Sequence, residues 1–156
     1  MQLSAQEEYG LRCLLRVAEA DAESPVSVAL VAEREGISPE YVARLMAPLK
    51  RAGLVSATRG AGGGYRLTRP ADRITVWDAI LALGGSFFPE EFCECHPGQR
   101  RQCVRSTDCS IRALWQRGEQ VLRVHFETIS LADLARPEAS MVAWLDSDRA
   151  NRRTHV

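Results

Sequence analysis

Four of the five cysteines in the 156-residue chain lie between residues 93 and 109, in the segment CECHPGQRRQCVRSTDC. Clustered thiols can hold a metal ion or an iron–sulfur cluster, pair as disulfides, or act as a redox switch. The first residues, MQLSAQEEYG, do not place an apolar run after a basic segment, so a signal peptide is not expected. We expect a cytoplasmic protein with reduced thiols, which favours metal or redox chemistry over disulfides.

The spacing of these cysteines favours an iron–sulfur cluster over a structural zinc ion. Successive cysteines are separated by one, seven and five residues, with no C-x-x-C pair. Structural zinc sites favour pairs roughly two to four residues apart, so zinc is disfavoured here. An iron–sulfur cluster needs soft thiolates on a flexible loop that can wrap around it, and this segment offers both. At this point a cluster, a zinc ion and a metal-free thiol switch all stay open.

The first elements predicted along the chain are the helices of a helix-turn-helix. A capping box at Ser4 and Glu7 predicts a first helix that runs to about Ala22. A second helix, at about 28–35, is ended by Gly36 in the usual manner.

A third helix is predicted at about 39–52, directly after the glycine turn. Ser38 is a good N-cap, Pro39 suits the first helical position, and the charge of Glu40 complements the helix dipole. Two short helices joined by a brief turn containing glycine are typical of a helix-turn-helix, whose second helix contacts DNA bases.

The next segment, LVSATRGAGGGYRLTRP, predicts a β-hairpin with strands at 54–58 and 65–68. A hairpin directly after a helix-turn-helix is the winged-helix arrangement. The glycines lack the GK[ST] ending of a phosphate-binding loop, and a strand rather than a helix follows them, so nucleotide binding is disfavoured. Gly62 and Gly63 would let the wing backbone approach DNA, and Arg59 could enter a narrow minor groove.

Charge is distributed unevenly along a chain whose net charge is zero. Residues 1–40 carry three arginines against eight acidic residues, whereas residues 41–73 carry seven basic residues against one aspartate. A concentrated basic segment is the electrostatic signature of a polyanion partner. The following residues are therefore the candidate contacts to double-stranded DNA: Ser38, Pro39, Glu40, Tyr41 and Arg44 at base edges, Lys50 and Arg51 at phosphates, and Arg59, Gly62, Gly63 and Tyr65 in the wing.

Beyond the wing, Thr75 is predicted to cap a short helix at about 76–83, and Thr107 or Asp108 a long helix that ends near Thr128. The long helix carries an apolar stripe with a 3.6-residue period, which predicts burial against a partner subunit. Its members are Ile111, Leu114, Trp115, Gly118, Val121, Leu122, Phe126 and Ile129.

The predicted fold class is mostly α with a small β-hairpin wing. The expected organisation is a winged helix-turn-helix domain at 1–84, a cysteine-rich loop at 85–110, a dimerisation helix with a short helix at 111–135, and a polar tail at 136–156. No apolar stretch is long enough to span a membrane, and no Ser/His/Asp arrangement or paired carboxylates suggest an enzyme or a small-molecule substrate. Cys13 is predicted to be a small core residue.

Three motifs in collinear order over residues 1–135 carry a family resemblance: MQLSAQEEYGLRCLL, GISPEYVARLMAPLKRAGLVSATRGAGGGYRL, and a cysteine loop leading into CSIRALW. In these motifs the chain resembles the winged-helix regulators that include IscR, NsrR and RirA. The resemblance implies a homodimeric DNA-binding transcription regulator, usually a repressor, with an iron–sulfur cluster in each cysteine loop. Ser38, Tyr41 and Arg59 match family contact positions, whereas Ala43 replaces a base-discriminating Glu of IscR, so that readout does not transfer.

The resemblance also implies a ligand set. Cys103 and Cys109 align with family ligands, and Cys95 as the first ligand gives the C-x7-C-x5-C spacing of RirA-like proteins. Cys95 is therefore favoured, with Cys93 as a further candidate. Arg112 replaces the ligating histidine of IscR and cannot take its role.

Three thiolates leave one iron of a cubane cluster to satisfy. In NsrR-like proteins an acidic side chain near the start of the other subunit's first helix fills that place, and Glu8 stands there in this sequence. Cys93, His96 and a small exogenous ligand are the other candidates. The resemblance thus favours a 4Fe-4S over a 2Fe-2S cluster that senses iron, nitric oxide or redox status, with a metal-free thiol redox sensor as the alternative.

Overall fold

The computed structural model describes residues 3–20, 24–60, 62–89 and 91–153. Two strands form an antiparallel hairpin, β1 (Val55–Thr58) and β2 (Gly64–Leu67), and a 3-10 turn spans Ala71–Arg73. The helices are α1 (Ala5–Ala18), α2 (Val28–Glu35), α3 (Pro39–Arg51), α4 (Val76–Leu83), α5 (Phe92–Cys95), α6 (Ser110–Glu127), α7 (Leu131–Leu134) and α8 (Glu138–Arg153). The predicted fold class is confirmed. No helix in the described part of the chain has both the length and the apolar character to cross a membrane.

Side-chain caps set the starts of the first helices as predicted. The Ser4 hydroxyl accepts the backbone N–H of Glu7 at 3.2 Å, and the Glu7 carboxylate accepts the N–H of Ser4 at 2.7 Å. At α3, the Ser38 hydroxyl accepts the N–H of Tyr41 at 3.2 Å. The first helix ends at Ala18 rather than near Ala22, and residues 21–23 lie outside the described residues.

The core lies between α1, α2, α3 and α4, and the hairpin and α7 close it. The residues predicted to be buried on α3 are buried, since Val42, Leu45, Met46 and Leu49 are all at most 1% exposed. Their spacing of three and four residues puts them on one face of α3 and leaves the other face in solvent. The core therefore fixes which side of α3 is free to meet a ligand.

One charged side chain is buried among the described residues, the carboxylate of Glu35 at the end of α2. It accepts a hydrogen bond from Arg12 Nε at 2.7 Å and another from Arg16 Nε, both on α1. Burial alone would raise the pKa of Glu35, but the hydrogen bonds from Arg16 and Arg12 outweigh it and hold the pKa below its usual range. The charge network thus ties α2 to α1.

We expect Glu35→Gln to lower the free energy of unfolding at pH 7 by about 1–3 kcal/mol, because two arginines lose a charged acceptor. The folded-state pKa lies below the unfolded value of about 4.3, so this stabilisation is present above that value. It disappears as the pH falls through the folded pKa, and wild type and variant should converge in acid. Urea unfolding across the pH range measures this.

A matched control is Glu19→Gln, which removes a carboxylate 2.9 Å from Arg16 on the exposed side of α1. Exposed pairs contribute little, so its cost should stay below about 1 kcal/mol at every pH. Equal costs for the two variants would contradict a structural role for the buried carboxylate.

The C-terminal segment differs from the sequence-based expectation. Residues 136–156, predicted to be a polar tail, contain the helix α8 from Glu138 to Arg153. Met141, Trp144 and Leu145 have the spacing of one helix face and pack on a second apolar cluster centred on Val76, Ile80 and Ile129. These three side chains connect α8 to the rest of the fold.

The start of the long helix also differs. Cys109, rather than Thr107 or Asp108, is the N-cap of α6, and its Sγ accepts the N–H of Arg112 at 3.3 Å. The extended backbone of Cys109 places the thiol where a capping hydroxyl normally lies.

The apolar stripe on α6 is largely uncovered within the chain. Ile111, Leu114, Trp115 and Val121 are each more than half exposed, and α6 has no fully buried residue. Contiguous exposed apolar surface of this kind marks an interaction site.

Candidate functional site

The exposed end of α3 carries the residues predicted to contact bases. Ser38, Pro39 and Glu40 are exposed there. The Arg44 guanidinium lies over the Tyr41 ring, 4.8 Å from its centroid. Tyr41 packs edge-on against Tyr9, with the ring centroids 5.9 Å apart. Tyr41 is therefore a half-buried platform that orients Arg44 as well as a candidate contact.

The wing is held by the body of the domain. The N–H of Val26 donates to the Tyr65 carbonyl, and the N–H of Tyr65 to the Val26 carbonyl, each at 2.8 Å. A Cβ on Gly64 would lie 2.2 Å from the Val26 carbonyl oxygen, so only glycine permits this pairing. Gly62, at the exposed tip, has φ +82°, a conformation that favours glycine. The backbone of Tyr65 is thus structural, whatever its side chain contacts.

Arg44, Lys50, Arg51 and Arg59 are all exposed, and none of them forms an ion pair with another described residue. Arg69, in the same basic segment, pairs with Asp78 at 2.9 Å. These unpaired cations lie on α3, the candidate recognition helix, and at the base of the wing. This arrangement suits a polyanion that touches both elements.

A second site lies where the cysteine segment meets α6. Three thiols, those of Cys93, Cys103 and Cys109, line one cavity of about 170 Å³ together with His96. Cys95 is exposed and does not line it. The remaining lining residues are aromatic, aliphatic or cationic: Phe88, Phe92, Trp115, Ile111, Arg105 and Arg112.

The short helix α5, which the sequence did not predict, explains this selection. It turns the chain so that Cys93 and His96, three residues apart, both line the cavity, whereas Cys95 between them does not. Cys103 is brought in by the loop, and Cys109 by its position as the cap of α6.

The chemistry of this donor set fits an iron–sulfur cluster. Soft thiols and an imidazole are the ligands that such clusters take, and two guanidinium groups would offset the negative charge of thiolates. No three Cys, His, Asp or Glu side chains of the described residues converge closely enough for a single metal ion. A cluster places its ligands on separate irons and does not need that convergence.

Two other candidate residues lie apart from the cavity. Glu8 is exposed in the first turn of α1 and does not line the cavity in the single chain. Cys13 is fully buried in the core, as predicted, and burial raises the pKa of its thiol to about 11. A buried neutral thiol of this kind is unreactive.

The family is decided by comparison with known proteins. The family model described as Rrf2, iron-dependent transcriptional regulator, matches residues 3–137. The chain belongs to the Rrf2 family. The match covers the helix-turn-helix, the wing, the cysteine segment, α6 and α7, and it stops where α8 begins.

Relatives of this Rrf2-family protein are similar over most of their length. Protein rrf2 of Nitratidesulfovibrio vulgaris is 37% identical over 136 residues, 87% of this chain and 88% of that protein. The transcriptional regulator IscR of Vibrio atlanticus is 35% identical over 87% of this chain and 76% of its own. The predicted resemblance is confirmed.

A solved structure leads to the same family. CymR of Bacillus subtilis, described as the global cysteine regulator, superposes with a TM-score of 0.68 at 30% identity, covering 86% of this chain and 96% of that one. The Rrf2-family protein is accordingly a transcription regulator of a DNA-binding family and not an enzyme. The family model is described by its dependence on iron, whereas CymR is described as a regulator of cysteine.

Proposed function

We propose that this protein is a homodimeric cytoplasmic repressor whose affinity for a double-stranded DNA operator is controlled by an iron–sulfur cluster. The observation that carries the proposal is the cavity in which three thiols meet the first turn of α6, the helix with the uncovered apolar stripe. A group bound there would touch both the cysteine segment and the proposed dimer interface.

Operator binding would use the exposed end of α3 and the wing. The recognition helix would present Ser38, Glu40 and Arg44 to base edges, while Arg59 and the glycine tip would follow the backbone or minor groove. Two such helices in a symmetric dimer read half-sites about one DNA turn apart, so their separation must be held within narrow limits.

Regulation would act on that separation. Trp115 and Ile111 line the cavity and also belong to the exposed stripe of α6. A change in the packing of the cysteine segment would therefore alter the dimer interface. That alteration would change the separation of the two recognition helices. When bound, the cluster would supply iron that responds to nitric oxide, oxygen or iron limitation.

The resemblance proposes Cys95, Cys103 and Cys109 as ligands, with Cys93 as a further candidate and Glu8 of the partner subunit on the remaining iron. It favours 4Fe-4S over 2Fe-2S, and one iron of such a cubane would be satisfied apart from the three thiolates. The cavity supports Cys103 and Cys109 and includes Cys93 in place of Cys95.

Anaerobic purification with iron and sulfide counts tests the proposal. We expect a brown protein with about four irons and four sulfides per chain, the composition of a cubane cluster. The colour should bleach on exposure to nitric oxide, oxygen or a chelator, and the affinity for an operator obtained by random-site selection should change with it. A colourless protein with stoichiometric zinc and no sulfide would refute the cluster.

A metal-free thiol sensor is the second candidate function. The Bacillus subtilis CymR, a regulator named for cysteine, favours it through 33% identity over 86% of this chain. In that case the protein would hold no iron, and oxidation would change operator affinity reversibly with a thiol reductant. Single Ser variants would distinguish the two, because a disulfide sensor should depend on one pair of cysteines.

We expect Lys50→Ala and Arg51→Ala each to weaken specific and non-specific DNA binding alike, because phosphate contacts carry no sequence information. Each lost contact should reduce the slope of log affinity against log salt by about one. Titrations at several salt concentrations, with operator and with unrelated duplex DNA, measure both effects. Arg69→Ala, whose cation is already paired with Asp78, is the matched control and should leave the slope unchanged.

A further inference from the structure

A four-residue helix and its C-cap residue present two metal-binding side chains to the cysteine cavity. In α5 and the residue after it, Cys93 and His96 both line the cavity, and Cys95 is exposed outside it. Side chains three residues apart in a helical turn lie on the same side, whereas the position between them is turned away. The backbone conformation of this turn therefore places Cys93, and not Cys95, at the cavity.

Two contacts fix the imidazole of His96. Its Nδ1 lies 2.8 Å from the Phe92 carbonyl oxygen, and its ring stacks on that of Phe92 with the centroids 4.2 Å apart. A carbonyl oxygen only accepts, so Nδ1 carries the hydrogen of this contact and Nε2 is the ring nitrogen left to bind a metal. Metal-binding histidines usually donate their other ring N–H to a carbonyl or carboxylate oxygen in this way.

The cavity itself supplies one side chain other than a thiol that could be the fourth ligand. Arg105 and Arg112 line it, and no carboxylate is among its described lining residues. Arg112 cannot itself bind metal; its guanidinium donates to the Ser106 carbonyl at 3.1 Å, and its backbone N–H to Cys109 Sγ. Among the described lining residues, the imidazole of His96 is therefore the side chain other than a thiol that can bind iron.

We infer that Cys93 and His96 are a ligand pair, completed by Cys103 and Cys109 from the same chain. This inference rests on the proposed function and replaces two members of the ligand set taken from the resemblance, Cys95 and Glu8 of the partner subunit. All four protein ligands of each cluster would then come from one subunit. Cys95 then remains a free exposed thiol beside the site.

Four single variants at or beside the cavity and a fifth, Glu8→Gln, at the rival ligand test the ligand pair in the full chain, purified anaerobically. Cys93→Ser should lose cluster iron and sulfide several-fold, and Cys95→Ser should keep the parent's content. His96→Ala should alter the electron paramagnetic resonance signal of the reduced cluster, and added imidazole should restore it. His96→Cys should retain the cluster at a lower reduction potential, because a thiolate carries the negative charge that imidazole lacks.

His125→Ala is the matched control, since His125 is exposed on α6 and does not line the cavity. It should leave the resonance signal and the potential unchanged. Circular dichroism and thermal melting of each variant separate ligand loss from misfolding.

The outcomes distinguish this inference from the function on which it rests. A parent protein without iron and sulfide would overturn the proposed function. A parent protein with a cluster that Cys95→Ser removes and Cys93→Ser spares would overturn the ligand pair alone. A resonance signal changed by Glu8→Gln and unaffected by His96→Ala would overturn the role of His96 and assign the remaining iron to Glu8 of the partner subunit.

Discussion

Leu114→Glu is expected to produce a monomer that no longer binds the operator tightly. Leu114 is 62% exposed on α6 and does not line the cysteine cavity, so its substitution reports on the dimer alone. Burying a leucine side chain contributes about 2 kcal/mol, and a twofold interface contains it twice, so the loss is about 4 kcal/mol before the carboxylate is counted. The dimer dissociation constant should rise by about a thousandfold.

Loss of the dimer should also lower the affinity for the operator, because each monomer would bind only one half-site. Sedimentation velocity across a concentration series and operator titrations under the same conditions measure the two effects. Iron and sulfide content should stay close to that of the parent if all ligands come from one subunit. Gln120→Glu, an exposed polar position on the other side of α6, is the control and should remain dimeric. A Leu114→Glu protein that is still dimeric at parental affinity would show that the stripe is not the interface.

The helix-turn-helix and wing could be predicted because each of their boundaries has a local signal. Ser4, Ser38 and Gly36 each determine a cap by their own side chain or backbone freedom, and the structure has all three caps. The buried face of α3 follows from spacing alone. Local signals of this kind do not depend on which segment lies opposite.

The two helices that were missed lack such signals. The four-residue helix α5 is too short for any periodicity, and α8 has a sparse apolar face whose partners, Val76, Ile80 and Ile129, come from distant parts of the chain. Tertiary contact decides both. The same reason separates the predicted site from the observed cavity: the sequence predicted that thiols would cluster, but whether Cys93 or Cys95 faces the cluster depends on one turn of backbone.

The pairing of two arginines with the buried carboxylate of Glu35 was also missed. Arg12 and Arg16 are four residues apart and so share a side of α1, but nothing in their spacing identifies a carboxylate at the end of another helix as their partner. The sequence therefore revealed the charges on α1 without their role.

Cys109→Ser is expected to remove the cluster while leaving the protein folded. The capping role of Cys109 makes this substitution unusually clean, because a serine hydroxyl is a strongly preferred N-cap and can accept the Arg112 N–H in place of Sγ. The start of α6 should therefore be at least as stable as before. A hydroxyl is a hard ligand and a poor substitute for thiolate on iron, so cluster iron and sulfide should fall by about tenfold or more.

Thermal melting of the apo proteins measures the first effect, and metal and sulfide analysis the second. Operator affinity of the variant should equal that of the parent protein after its iron is removed. Cys13→Ser is the opposite control: it places a hydroxyl in the core, which costs about 1–3 kcal/mol, but should leave the cluster in place. If Cys109→Ser keeps the parent's iron and sulfide, Cys109 is a helix cap and not a ligand.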